Sequence, residues 1–258
     1  MGGGGTRASN AVKGLLMNGY RLTVVTAFPH YPFGSIPQNY RGHFLSVESE
    51  SRCRVVRVWI PPLPSRGLVN RVLLFLSFCI TSLLAYPYSE GVDYVWAANP
   101  NIISFFPAMV YGFLRRCPIV QNVDDLWPEV PVQLGMMNSS LLVRIAGCLA
   151  GFVYRSADAL TPISPGYVEV ITRKYRVDPR KVHVVPGGVD LETFKIGEAQ
   201  RDDGLFKVLY IGSFSPTYDF DCVLRAAQVL QDSEDTRFVL QGAGEMSDFL
   251  QSRVREME

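Results

Sequence analysis

The chain has 258 residues, a length that favours two domains of ordinary size. Lysine and arginine number 25 and aspartate and glutamate number 24, so the net charge of +1 excludes overall charge as the means of attracting nucleic acid. A hydrophobic content of 48% with 19% charged residues excludes a disordered chain and indicates a globular protein.

The first two thirds of the chain alternate helical and strand patterns. A helix is predicted over residues 6–18, with Gly19 as its stop, and an apolar strand over 21–27. The proline-rich stretch 28–40 is predicted to be a loop. Further strands are predicted at 54–60, 94–97, 119–122, 159–163 and 182–185. Further helices are predicted at 70–85, 102–114, 141–156 and from Gly166 to about 173.

A second unit follows a mixed, charged segment at residues 190–205, which is the best linker candidate. Strands are predicted at 207–211 and 237–240, with helices at 220–230 and from 245 onward. Strands that alternate with helices predict an α/β fold with parallel sheets. We therefore predict two Rossmann-like domains, 1–195 and 206–258, and the shortness of the second leads us to expect that it is incomplete.

Cysteine and histidine usage bears on compartment and metals. The five cysteines are scattered without a C-x-x-C pair, which is typical of reduced thiols in a cytosolic protein. No signal peptide is recognisable. The three histidines lie far apart, so we expect no metal site.

Three apolar runs raise the question of a membrane. Residues 72–89 contain no charge over eighteen positions, and the runs 102–114 and 141–154 end at arginines. Three interpretations stay open: buried helices packed on a sheet, helices docked on an anionic bilayer surface, or a single span at 72–89.

The glycine run before the first helix is one candidate ligand site. Backbone N–H groups at Gly3 and Gly4 are suited to an anion at a helix N-terminus, and Arg7 is a candidate phosphate contact. The alternative is a frayed end with no ligand. A strand before Gly2 would complete the usual strand–loop–helix context.

Asp124 and Asp125 form the second candidate site, just after the strand predicted at 119–122. Ligand sites of open α/β sheets gather at the carboxyl ends of strands, and a carboxylate there can accept a proton from a hydroxyl nucleophile. The alternative is that these acids cap the helix or turn that begins at Pro128. Ser164, which precedes Pro165, is interpreted as an N-cap.

Glycine-rich loops in the second unit form a third candidate site. Gly212 and Ser213 follow one predicted strand, and Gly242 and Gly244 follow the next. Loops at neighbouring carboxyl ends suit a nucleotide diphosphate, but the glycines are equally explained as turn residues. Gly187 and Gly188 are interpreted as turn glycines where the chain passes between domains.

Five segments in order resemble family 4 retaining glycosyltransferases, which have the two-domain GT-B fold. These are GGGGTRASNAVKGLLMNGYRLTVVT, VQNVDDLWPE, VHVVPGGVDLETF, VLYIGSFSPTYDFDCVLRAAQVL and FVLQGAGEMSDFL. The second is similar to the bacterial polysaccharide and O-antigen subgroup of fucosamine- and colanic-acid-type transferases.

The resemblance implies transfer of a hexosyl-type sugar from a nucleotide-diphosphate sugar to a lipid-linked or glycan acceptor. It implies no metal or other cofactor, and a place in the cytoplasm, peripheral at the inner face of the plasma membrane. It puts Gly3 and Gly4 at the cleft between domains, Asp124 at a position where many relatives carry a histidine, and Gly212 near the diphosphate.

Two departures from the family pattern matter. Ser213, Thr217 and Tyr218 stand where many relatives have an arginine and a lysine, and the E-x7-E region would lie beyond Glu258. The alternative function is therefore a non-catalytic truncated remnant, or an acceptor- or membrane-binding half that needs a separate donor domain. A nicotinamide-dependent reductase is disfavoured because no G-x-G-x-x-G follows a strand near the start.

Overall fold

The computed structural model describes residues 3–30, 34–64, 68–98, 102–135, 137–195, 204–233 and 235–257. The chain divides into two compact units, Met1–Phe194 and Lys195–Glu258. Each combines strands with helices in the alternation that the sequence predicts, which confirms the α/β class. Gly2 and residues 196–203 of the predicted linker lie outside the described residues.

Within the residues that the structure describes, six strands form two three-stranded sheets in the first unit. The strands are β1 Leu22–Ala27, β2 Leu45–Glu50, β3 Cys53–Val58, β4 Val95–Ala97, β5 Ile119–Val123 and β6 Ala159–Pro162. The orders are β1-β3-β2 and β4-β5-β6. The pairs β1–β3, β4–β5 and β5–β6 are parallel, as predicted. The central strand β5 is almost wholly buried, which explains its apolar sequence.

The strand β2 is a correction to the sequence prediction, because it pairs antiparallel with β3. Its sequence LSVESE is polar and its last four residues are exposed, so it carries no apolar run to reveal it. A two-residue connection through Ser51, which has a φ of 48°, joins it to β3. This segment is a strand because it pairs with the valine-rich strand β3 at the edge of the sheet, and not because of its own strand propensity.

The described residues of the first unit contain six α-helices. They are α1 Gly3–Met17, α2 Leu68–Thr81, α3 Phe105–Arg115, α4 Glu129–Gln133, α5 Ser140–Ser156 and α6 Pro165–Glu169. Helix α1 ends as predicted at Gly19, whose φ is 85°. There the N–H of Tyr20 donates to the carbonyl of Leu15 and that of Gly19 to Leu16, which is a Schellman motif.

Three predicted elements differ in detail. The helix predicted at 70–85 stops at Thr81 and continues as a 3₁₀ segment, Ser82–Ser89, that contains Pro87. The helix that follows Gly166 loosens into one π-helical turn at Val170–Lys174. The segment predicted as a strand at 182–185 makes only an isolated parallel bridge, between Val182 and Leu160.

The main core lies between β4–β6 and the helices α3 and α5. Phe105, Val123, Val153, Tyr154 and Leu160 are all fully buried there. The tie between α3 and the 3₁₀ segment is polar: the Arg115 guanidinium lies 3.9 Å from the Tyr86 ring centroid and donates to the Tyr86 carbonyl oxygen at 2.7 Å. This contact holds the end of α3 against the chain that leads into β4.

The second unit contains one parallel pair of strands and two helices in its described residues. The elements are β7 Phe206–Ser213, α7 Phe220–Val229, β8 Thr236–Ala243 and α8 Ser247–Met257. Asp219 caps α7 by accepting a hydrogen bond from the Cys222 N–H at 3.0 Å. Phe214, Phe220, Leu224 and Leu250 form the buried cluster of this unit.

We predict that Gly242→Ala destabilises the second unit by about 1–3 kcal/mol, because a Cβ there would overlap the Gly212 carbonyl oxygen across the strand pair. Gly14→Ala is the matched control. It lies in α1 with nothing within 4 Å of a new Cβ, so this change should stabilise by about 0.5–1 kcal/mol. Urea unfolding measures both, and equal small effects would contradict the close approach of the strands.

Candidate functional site

The candidate site of the first unit is built where β5 ends. The Nε atom of Arg7, on α1, lies 2.7 Å from Oδ1 of Asp124, and both side chains are mostly buried. The same guanidinium donates from Nη2 to the Val185 carbonyl oxygen at 3.0 Å. One arginine therefore joins the first helix, the end of the central strand and the segment that follows the bridge at Val182.

Asn122, the next-to-last residue of β5, is the third member of this cluster. Its side chain is buried, and its Oδ1 accepts from Arg7 Nη2 and from Thr161 Oγ1, each at 3.2 Å. Its Nδ2 donates to Asp124 Oδ1 at 2.9 Å. A buried amide with donor and acceptor both engaged adds little desolvation cost and fixes the direction of Asp124. The sequence interpretation missed Asn122 and Thr161; the signal was a polar pair, Gln121-Asn122, inside an otherwise apolar strand.

Asp125 differs from its neighbour in both position and partners. Its side chain is exposed, and within the part of the chain that the structure describes no hydrogen bond or ion pair engages its carboxylate. Partial desolvation by surrounding atoms, and next the charge of Asp124, raise the pKa of Asp125. Burial and then the Asp125 charge also raise the pKa of Tyr167 on α6. Asp125 is therefore the acid of the pair that is available to a ligand.

The loop after Asp125 is held by tyrosines of the core. Tyr175 Oη donates to Glu129 Oε1 at 2.5 Å, and burial followed by this hydrogen bond raises the Tyr175 pKa, which keeps the phenol protonated. Lys174 Nζ pairs with the same Glu129 oxygen at 2.7 Å. Tyr154 Oη accepts from the Trp127 N–H at 3.4 Å.

The capping alternative for the two acids is wrong in this structure. Pro128 occupies the N-cap position of α4, and no side chain caps that helix. The Trp127–Pro128 peptide bond is cis. The cap predicted at Ser164 is confirmed, because its Oγ accepts from the Gly166 N–H at 3.3 Å.

The segment that leaves the first unit packs along α1. Asn10 Nδ2 donates to the Gly188 carbonyl oxygen at 3.1 Å. Lys13 Nζ lies 2.7 Å from Glu192 and 3.1 Å from Asp190. Gly187 and Gly188 lie in neither a turn nor the left-handed region, so the turn interpretation of these glycines is wrong. A Cβ placed at Gly187 would lie 3.8 Å from Arg7 Nη1, an ordinary contact, and a Cβ at Gly188 would have nothing within 4 Å, so packing against α1 does not require glycine at either position.

The loop expected at Gly3 and Gly4 is helix, because α1 begins at Gly3. Their N–H groups therefore belong to the first helical turn, which lacks intrahelical partners. Arg7 stands one turn later and contacts Asp124, Asn122 and the Val185 carbonyl rather than an open space. The phosphate roles of Gly3, Gly4 and Arg7 stay predictions.

The glycines of the second unit meet at one end of its strand pair. Gly212 and Gly242 are direct partners in register, so they lie inside β7 and β8 rather than in the loops, and Ser213 pairs with Ala243. Gly244 follows β8, and a Cβ there would overlap the Phe214 backbone. The structure brings Gly212, Ser213, Gly242 and Gly244 together, and packing alone explains the glycines at 242 and 244. Their donor-binding role stays a prediction.

The described residues contain no clustered metal ligands and one long apolar helical stretch. No group of three or more His, Cys, Asp or Glu side chains in them is arranged to hold a metal ion. One helical stretch, Val69–Ser89, is long and apolar enough to cross a membrane by length and composition, and 22% of its most apolar window is buried.

Comparison with known proteins decides the family. The profile of the glycosyl transferase 4-like domain matches residues 2–188, which include α1, β5 and the Arg7–Asp124 pair. The chain belongs to this glycosyltransferase family. One relative of the chain is an enzyme of Campylobacter jejuni, the N-acetylgalactosamine-N,N'-diacetylbacillosaminyl-diphospho-undecaprenol 4-alpha-N-acetylgalactosaminyltransferase. The two are 25% identical over 203 residues, which cover 75% of this chain and 52% of the relative. The chain thus spans about half the length of that relative.

Similar solved structures show which fold this chain has. Sucrose-phosphate synthase from Thermosynechococcus elongatus is 16% identical with a TM-score of 0.66, covering 94% of this chain and 59% of that one. HepE from Anabaena, solved with UDP-glucose, is 13% identical with a TM-score of 0.55, covering 91% and 66%. The fold is of the GT-B type with Rossmann-like units, as predicted.

We predict that Arg7 and Asp124 are energetically coupled. Because the ion pair is mostly buried and charge-assisted, Arg7→Ala and Asp124→Ala should each destabilise by about 1–3 kcal/mol, with a coupling energy of about 1 kcal/mol or more in a double-mutant cycle. The exposed pair Arg253–Glu256 is the control and should couple by less than about 0.5 kcal/mol. Additive single effects at Arg7 and Asp124 would contradict the role of the pair.

We predict opposite pH effects at two aspartates. A raised pKa means that the folded state binds the Asp125 proton more tightly than the unfolded state does. The free energy of unfolding therefore falls as pH rises from the ordinary pKa of 3.8 to the raised one. Asp125→Asn should therefore gain stability relative to the parent across that window and keep the gain at neutral pH.

Asp178 is the control of opposite sign, because the hydrogen bond from Arg180 lowers its pKa to about 2. Its contribution is present above 3.8 and disappears as pH falls toward 2, so Asp178→Asn should be less stable than the parent at neutral pH. Melting temperatures of parent and variants between pH 2 and pH 7 measure both effects. A gain from Asp125→Asn that does not depend on pH would refute the shift.

Proposed function

We propose that this chain is the acceptor side, with the beginning of the donor side, of an enzyme that transfers a sugar from a nucleoside-diphosphate sugar to an acceptor hydroxyl. The observation that carries the proposal is the Arg7–Asp124–Asn122 cluster at the carboxyl end of β5, beside which Asp125 is exposed and has no partner in the described part of the chain. This cluster lies inside the region matched by the family profile.

The acceptor that we propose is a lipid-linked or polysaccharide glycan. The Campylobacter relative carries a diphospho-undecaprenol substrate in its name, and HepE was solved with UDP-glucose. These names support a UDP-hexose or N-acetylhexosamine donor and a polyprenyl-diphosphate glycan as acceptor. The segment VQNVDDLWPE supports a place within the polysaccharide and O-antigen subgroup.

In the proposed reaction Asp125 accepts the proton of the acceptor hydroxyl, since it is exposed, has no partner among the described residues and has a raised pKa. Asp124 acts as a positioning residue, because Arg7 and Asn122 hold its carboxylate. The glycosidic bond forms on the face from which the nucleoside diphosphate leaves, with retention. The proposal includes no metal cofactor; backbone N–H groups and side-chain cations stabilise the leaving diphosphate.

We place this reaction in the cytoplasm. All five cysteines are free, which supports a reducing compartment, since scattered thiols in an oxidising one tend to pair. We also propose that the protein works at the inner face of the plasma membrane, because the acceptor that we propose is lipid-linked.

The test is transfer of labelled sugar to lipid. The chain is incubated with UDP-glucose, UDP-N-acetylglucosamine or UDP-N-acetylgalactosamine and a polyprenyl-diphosphate glycan, and label is counted in the organic phase. Asp125→Asn should lower kcat about 100-fold or more, because it removes the proton acceptor. Asp178→Asn, an exposed acid on another loop, should leave the rate unchanged.

Two outcomes would count against the enzyme. Neither transfer nor donor hydrolysis with any donor would contradict activity of this chain. Saturable binding of the acceptor without turnover would favour the alternative function, an acceptor-binding half that needs a separate donor domain.

A further inference from the structure

Three neighbouring helices of the first unit are apolar on both faces. Helices α2 and α3 contact each other, and Phe106 of α3 stacks on Phe152 of α5 with ring centroids 6.5 Å apart. Their inner faces carry core residues such as Phe105 and Tyr154. A helix at the surface of a soluble protein normally turns polar side chains outward, so these outer faces need an explanation.

The outer faces carry large exposed apolar side chains on every one of the three helices and on the adjoining 3₁₀ segment. We call this surface the apolar layer; its residues are Val69, Val72, Leu73, Leu76, Ile80, Leu83, Leu84, Val110, Phe113, Leu114, Leu141, Leu142, Ile145 and Phe152. Phe113 is 82% exposed and Ile80 71%. Contiguous exposed apolar surface of this kind marks an interaction site.

The charged residues in the three segments that carry the apolar layer have a single sign. Residues 68–89, 102–116 and 140–156 contain the five arginines Arg71, Arg115, Arg116, Arg144 and Arg155 and no aspartate or glutamate, whereas the whole chain has nearly equal numbers of acids and bases. Arg71, Arg116 and Arg144 are exposed beside the apolar side chains. Apolar side chains with arginines and without acids match the boundary of an anionic bilayer, where acyl chains meet negative headgroups.

The part of the apolar layer on α5 lies at the same end of the fold as the candidate site. Helix α5 connects the parallel strands β5 and β6, so its first turns lie at the carboxyl end of β5. Leu141, Leu142, Arg144 and Ile145 occupy these turns, and Asp125 follows β5 at the same end.

We propose that the apolar layer docks the first unit on an anionic phospholipid surface, with α5 resting in the headgroup region near Asp125. This surface contact goes beyond the proposed transfer reaction and stands without it. The interaction is peripheral: α2 lies on the bilayer instead of crossing it, because its inner face packs on the unit through buried Leu74 and its 3₁₀ extension through buried Ala85.

The test is sedimentation with vesicles, measured without donor or acceptor. The chain should pellet with phosphatidylcholine vesicles that contain about one third phosphatidylglycerol, less with phosphatidylcholine alone, and be released at high salt because the Debye length shrinks. Arg144→Glu should weaken the partition coefficient about fivefold or more, as expected for one basic residue near the surface. Leu141→Ser with Ile145→Ser should weaken it further.

Matched controls lie outside the layer. Val229→Ser removes an apolar side chain that is 82% exposed on α7, and Arg237→Glu reverses an exposed charge on β8. Both should bind vesicles as the parent does. Melting temperatures identify any variant that fails through unfolding, and a variant that melts early is replaced by Ile80→Gln, whose side chain is also largely exposed.

Each other result overturns the proposal. Absence of binding at low salt, or equal loss in layer and control variants, refutes docking through these helices. Resistance of the bound protein to alkaline carbonate identifies a spanning segment. A concentration-dependent dimer in analytical ultracentrifugation that Ile145→Ser abolishes, without vesicle binding, assigns the layer to a second copy of the chain.

Discussion

The contact of Arg7 with Asp124 is the constraint on which the first unit's site depends. Asp124 and Asp125 are adjacent carboxylates at the end of a buried strand, and without a cation their mutual repulsion would favour protonation of one of them. Arg7 neutralises Asp124 and, through the Val185 carbonyl, also holds the departing chain. Because one guanidinium links α1, the end of β5 and the segment around Val185, these three parts of the first unit are fixed with respect to one another.

The difference in environment between the two acids follows from that contact. Asp124 is turned inward by an arginine and a buried amide, whereas Asp125 remains exposed and without a partner among the described residues. Adjacent residues of the same type thus have different environments, which is the usual way in which a protein assigns different tasks to two carboxylates. The loop from Trp127 to Glu129, which follows Asp125, is anchored by hydrogen bonds to Tyr154 and Tyr175.

The helices α2, α3 and α5 combine two properties that conflict in a freely soluble protein. Their inner faces supply the largest core of the chain, and their outer faces expose apolar side chains at a cost in solubility. A site at the carboxyl end of β5 that acts on a lipid-linked acceptor would turn this cost into an advantage. Residues 68–89, 102–116 and 140–156 contain no acidic residue, in a chain with 24 of them, and this composition suits an outer face that meets an anionic surface.

The sequence by itself determined the alternation of strands and helices, the parallel character of the sheets, the Gly19 stop, the Ser164 cap and the place of the candidate acids, because apolar periodicity, glycine and caps act over a few residues. It did not reveal strand β2, whose polar sequence becomes a strand only through its neighbour β3. Nor could it show that Arg7 meets Asp124, because these residues are 117 positions apart and only the packing of α1 brings them together. The exposed outer face of the apolar helices was likewise decided by tertiary structure, since composition is the same whether such a helix is buried or open to solvent.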